Sequence, residues 1–117
     1  MKIALAGKGG TGKTTLTALL IKYLTWKYPD RAILAVDADA NANLNEVLGL
    51  PVEGTISSIL EQTKQSNSVP TGMTKDMFIK YQLNKAMVET ERYDLLVMGN
   101  PLGPGCYCFP NDLLKKY

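Results

Sequence analysis

The early part of the chain changes its apolar pattern twice. Residues 2–6 (KIALA) form a short apolar run closed by Gly7, which predicts a buried strand, and from Lys13 onward Leu16, Leu19, Leu20 and Leu24 recur at helical spacing. Pro29 predicts the end of that helix, because proline disfavours helical geometry in the residue before it. A second apolar run of strand length, residues 32–36 (AILAV), completes one βαβ unit.

Residues 37–45 (DADANANLN) are too polar for a buried strand and follow one directly, which predicts a loop at a strand's C-terminal end. Ligands of open α/β sheets collect at such loops. A short helix is expected over residues 44–48, closed by Gly49 and Pro51, and Thr55 with Ser57 predicts the cap of another helix through Ile56, Ile59 and Leu60. The polar stretch 62–75 reads as a surface loop. Met77, Phe78, Tyr81, Met87 and Val88 are spaced for a helix over about residues 76–90. The run 93–99 (YDLLVMG) then reads as a third buried strand, before the loop NPLGPGCYCFP and a last helix opening near Asn111. Alternating strands and helices predict an α/β fold with a mainly parallel sheet flanked by helices.

Composition sharpens this picture by exclusion. A chain of 117 residues has the size of one domain, able to bury about two-thirds of its unfolded surface. A net charge of +2 with scattered lysines predicts neither a nucleic-acid partner nor an amphipathic membrane helix. The start MKIALAGKGG is too short in apolar residues for a signal peptide or a membrane span, so a cytoplasmic protein is expected. Two cysteines, Cys106 and Cys108, exclude a disulfide framework.

The strongest chemical signal sits between the first predicted strand and helix. Residues 7–14 fit G-x-x-x-x-G-K-[ST], a phosphate-binding loop in the strand-loop-helix context it requires. Glycines remove the Cβ atoms that would block close approach, so the N–H groups of Gly9, Gly10, Thr11, Gly12, Lys13, Thr14 and Thr15 turn toward phosphates at a helix N-terminus. Lys13 is expected to reach the β and γ phosphates of ATP, and the Thr14 hydroxyl to ligate Mg²⁺.

Asp37 and Asp39 close the second predicted strand beside that loop. One carboxylate can hold Mg²⁺ while the other orients the water that attacks the γ phosphate, although spacing alone does not separate the two roles. Asp39 has a purely structural alternative as a cap for the short helix that follows.

Lys8 exceeds what the phosphate loop needs. The run K-G-G-x-G-K-[ST]-[ST], residues 8–15, resembles the deviant Walker A loop of the family that includes MinD, ParA, ArsA and nitrogenase iron protein. That resemblance implies that Lys8 crosses a dimer interface to the partner's nucleotide, as an arginine finger does elsewhere. It further implies that VDADANANL is a switch segment, with Asp39 positioning water and Asp37 nearer the metal. One departure stands out: relatives commonly end the third strand with a magnesium-linked aspartate, where this chain has Gly99, with Asp94 at the strand's far end. This places the magnesium work on Asp37 and Thr14 and implies slow hydrolysis or a conformational switch.

Together, KGGTGKTT, VDADANANL and GNPLGPGCYC resemble the CooC-type accessory ATPases for nickel insertion into carbon monoxide dehydrogenase, with Ala40 where a proline often stands. Two thiolates separated by one residue are half of a tetrahedral site, and a symmetric homodimer supplies the other half. The resemblance implies that Cys106 and Cys108 bind Ni²⁺ or Zn²⁺ between subunits and that the client is a carbon monoxide dehydrogenase-type enzyme. The structural alternative is a pair of packed free cysteines. An iron-sulfur protein like the nitrogenase iron protein is disfavoured because its cluster cysteines lie well apart in the chain, and a MinD/ParA-like positioning switch finds no basic patch here. These families continue well beyond the C-x-C loop, so residues 1–117 read as the N-terminal portion of a longer P-loop nucleotide-binding domain. The expectations that follow are an uncovered apolar edge, weak ATP binding and little hydrolysis.

Overall fold

The computed structural model describes residues 1–8, 12–39, 41, 43–65, 69–100 and 115. Its elements are helix α1 (Lys13–Lys27), strand β1 (Leu34–Asp37), helices α2 (Leu44–Leu48), α3 (Ile56–Lys64) and α4 (Lys75–Ala86), then strands β2 (Val88–Glu89) and β3 (Asp94–Val97). The sheet order is β1-β3-β2. β1 and β3 are parallel, with Leu34 opposite Asp94 and Asp37 opposite Val97, so their C-terminal ends share one edge. β2 lies antiparallel to β3 and makes the sheet mixed. The α/β architecture is as the hydrophobic pattern predicts, with this short antiparallel edge added.

β3 is the centre of the packing. Leu95 and Val97 meet Ala18 and Ile21 of α1, together with Ala35 and Leu44. Leu96 and Met98 meet Ile56, Ile59 and Leu60 of α3 and Ile79, Leu83 and Ala86 of α4. A strand buried on both faces needs apolar residues at every position, which is why DLLVM shows no alternation. Each such side chain contributes on the order of 1.5–3 kcal/mol by leaving water.

Capping explains where the helices on one side begin. Thr55 and Ser58 form a capping box: the Ser58 N–H donates to Thr55 Oγ1 at 3.2 Å and the Thr55 N–H donates to Ser58 Oγ at 3.0 Å. Ser57, expected to share that cap, is instead buried and ties α3 to the sheet, its N–H donating to the Met98 carbonyl at 2.9 Å and its hydroxyl to the Gly99 carbonyl at 3.3 Å. α4 opens on Thr74, whose Oγ1 accepts the Met77 N–H at 3.2 Å.

The helix expected to reach residue 90 ends at Ala86. Met87 turns to extended backbone, and Val88 gains a ladder partner in Leu95. The return is fixed by Thr90: its N–H and Oγ1 both donate to the Tyr93 carbonyl, at 3.0 and 2.6 Å, while Oγ1 accepts the Tyr93 N–H at 3.1 Å. β-Branched Val88 suits the pleated surface better than another helical turn.

A larger correction concerns residues 2–6. They run beside α1 and β1 without joining the sheet, and Ile3 remains 51% exposed. A cavity of about 980 Å³ is lined by this segment, α1 and β1, through Ile3, Leu5, Leu20, Leu24, Leu34 and Val36 among others. Ladder hydrogen bonds need backbones about 4.8 Å apart, and residues 2–6 pair with no strand. An apolar run alone does not secure a place in the sheet, whose described order is β1-β3-β2.

Candidate nucleotide-binding site

α1 starts in a way that suits an anion. Gly12, its N-cap, takes φ 79° and ψ 14°, a left-handed conformation that glycine adopts without strain, and no side chain caps the helix. The first turn contains Lys13, Thr14 and Thr15 and no acidic residue. Its backbone N–H groups and the helix dipole therefore favour negative charge at this end.

Two chain segments far apart in sequence meet there. Lys13 Nζ donates to the Gly7 carbonyl at 3.2 Å and forms an ion pair with Asp39 Oδ2 at 3.3 Å. Both partners are partly exposed, so the pair contributes at most about 1 kcal/mol and opens easily. Thr14 Oγ1 donates to Asn43 Oδ1 at 3.0 Å. Asp37, half-buried at the end of β1, accepts the Asp39 N–H on Oδ1 at 3.2 Å and the Leu44 N–H on Oδ2 at 3.0 Å. Asp39 Oδ1 accepts the Asn41 N–H at 3.1 Å. The cap of α2 thus comes from Asp37, whereas the sequence offered Asp39 for that role.

The described residues bring Lys13, Thr14, Asp37 and Asp39 to one end of the cavity beside β1. Thr15 is exposed on the first turn of α1, and Lys8 is exposed at the end of the N-terminal segment. Gly9, Gly10, Thr11, Cys106, Cys108 and, apart from helical Lys115, the helix expected from Asn111 lie outside the described residues. Asp94 opens β3 opposite Leu34, at the other end of the strand from this cluster. The hydroxyl of Thr14 and the carboxylate of Asp37 are hard oxygen donors of the kind that bind Mg²⁺ together with waters. Among the described residues, no three His, Cys, Asp or Glu side chains gather into a metal-binding group.

Gly99 accounts for the missing aspartate of the third strand. It has φ +73°, and a Cβ placed on it would lie 2.6 Å from Thr55 Oγ1 and 2.7 Å from Thr55 Cβ. Any side chain at this position collides with the residue that caps α3. Asn43 is the site residue that sequence reasoning missed. Standing just before an apolar helical run, it reads as an ordinary helix cap, and only its contact with Thr14 marks it out.

A shift in titration is found at the other end of α1. The ammonium of Lys27, in the last turn of α1, is held above its ordinary value chiefly by hydrogen bonding to Tyr23, with Tyr28 adding to the effect.

A family model described as the CobQ/CobB/MinD/ParA nucleotide binding domain (CbiA) matches residues 2–100. The chain is 48% identical over 119 residues to an uncharacterised ATP-binding protein of Methanocaldococcus jannaschii, covering 99% of this chain and 46% of that protein. It is 32% identical over 130 residues to the carbon monoxide dehydrogenase accessory protein CooC of Rhodospirillum rubrum, covering 98% of this chain and 47% of CooC. A second uncharacterised ATP-binding protein of M. jannaschii is 30% identical over 129 residues, with 51% of its length matched. The chain spans about half the length of these curated relatives. No solved structure matches it. No helix among the described residues is long and apolar enough to cross a membrane.

Proposed function

The chain belongs to the CobQ/CobB/MinD/ParA nucleotide-binding family, and from that membership we propose that it is the ATP-binding part of a CooC-type accessory ATPase. The observation that carries this reading is the meeting of Lys13 and Thr14, at an uncapped helix start, with Asp39 and Asp37 at the end of β1. Lys13 leaves Asp39 and the Gly7 carbonyl to take the β and γ phosphates, a small loss because the ion pair is solvated. Asp39, no longer paired with Lys13, then orients a water against the γ phosphate. Thr14 and Asp37 would hold Mg²⁺, which neutralises charge on the phosphates.

Further from the nucleotide, the proposal has three parts that rest on the family resemblance and on CooC. Lys8 reaches the nucleotide of a second copy of the chain. Cys106 and Cys108 of two copies bind Ni²⁺ or Zn²⁺ as cargo, and the client is a carbon monoxide dehydrogenase-type enzyme. Subunit closure driven by ATP couples these events.

Calorimetric titration of ATP with Mg²⁺ tests the first part. Lys13→Ala should weaken binding by about ten- to a hundred-fold, the equivalent of one charge-assisted hydrogen bond. Equal affinity in the variant would remove Lys13 from the site. Titration with Ni²⁺ tests the second part: one ion per two chains is expected, abolished when both cysteines are replaced by serine. Binding unchanged by that replacement would overturn the cargo site.

A further inference from the structure

In P-loop enzymes the hydroxyl of the phosphate loop and an aspartate at the end of a neighbouring strand together fix the magnesium ion. Here Gly99 stands two residues beyond the end of β3, and Thr55 leaves no room for a carboxylate there. The Thr14 hydroxyl is held by Asn43 instead, at 3.0 Å, from the loop that follows β1. We infer that Asn43 is a positioning residue for the metal site, taking over from the absent strand aspartate the task of orienting Thr14. This inference rests on the reading of Thr14 as a magnesium ligand.

Two independent features of the local structure support it. Asn43 occupies the N-cap position of α2, where an asparagine ordinarily accepts a hydrogen bond from its own helix, yet its side chain makes no such bond. Asp37 accepts the Leu44 N–H at 3.0 Å, and the Asn43 carboxamide oxygen accepts from Thr14 rather than from its own helix. The direction of the bond also matters. Thr14 donates its proton to Asn43 Oδ1, so both lone pairs of the hydroxyl oxygen stay available to a cation. A hydroxyl without that acceptor rotates among its staggered positions and presents a lone pair to the metal only part of the time. Outer groups that orient a metal ligand in this way are worth about ten- to a hundred-fold in metal affinity.

The test compares ATP binding in Mg²⁺ with ATP binding in EDTA for the full chain. In the wild type, Mg²⁺ should tighten ATP binding. Asn43→Leu, which keeps the shape and removes the acceptor, should lose that enhancement by about ten-fold while binding in EDTA changes little. Asn43→Asp keeps an acceptor at the same place and should retain the enhancement. An Asn43→Leu variant with an unchanged ratio of the two affinities overturns the inference, as does one that loses affinity equally in both conditions. If the wild type binds ATP in neither condition, the nucleotide-site reading itself fails, and the inference fails with it. ATP binding that is indifferent to Mg²⁺ sinks the role of Asn43 and leaves the phosphate loop standing.

Discussion

The two faces of the sheet are built to different standards. On one, α3 and α4 close over β3 so fully that Ile56 and Met98 are 0% exposed, and both helices start on side-chain caps. On the other, α1 buries only Ala18 and Ile21, while Leu19 is 58% and Trp26 76% exposed, and residues 3–6 line a cavity. Lys13, Thr14, Asp37 and Asp39 line that cavity. The difference teaches where stability and chemistry reside: the closed face supplies the fold, and the open face supplies loops and a helix end that a ligand can reach.

Substitutions can break this comparison, and the largest effect belongs to the closed face. Ile56→Ala should cost about 2–5 kcal/mol, because it leaves a cavity between α3, α4 and β3 that those elements cannot fill. Urea unfolding measures it, and a midpoint shift no larger than that of a surface variant would show the closed face to be loosely packed. Gly99→Ala should follow, at about 1–3 kcal/mol, since it combines a positive φ with a methyl group against Thr55. A neutral result there would mean that the strand end relaxes readily, and an aspartate at residue 99 would then be tolerated as well. The smallest effect is expected on the open face: Trp26→Ser should alter stability by about 0.5 kcal/mol or less. A large loss at Trp26 would mean that this helix face is covered in solution, and analytical ultracentrifugation would report a second copy as the cover.

Much of this was legible from short-range signals. The glycine at residue 12 carries its left-handed conformation locally, whereas Lys13, Thr14, Asp37 and Asp39 line one cavity although residues 2–6 do not form the first strand of the expected βαβ unit. The turn at Thr90 was less legible, because Met87 and Val88 satisfy a helical period as well as a strand. Their fate was decided by the free edge of β3, which no window of sequence displays. Cys106 and Cys108, the most specific part of the family resemblance, lie outside the described residues, and their role stays with the proposal.

By itself the sequence determined that the described helices exist, two of the three expected long strands, and a helix start at Gly12 near two aspartates, since periodicity, caps and glycine conformations act over a few residues. Only the tertiary structure decided which side of α1 is buried, because that helix is apolar on most of its circumference. It alone kept residues 2–6 out of the sheet, and it alone joined Thr14 to Asn43 across 29 positions. The physical reason is the same in each case: edge pairing, face selection and cross-loop hydrogen bonds depend on which surfaces meet when the chain closes.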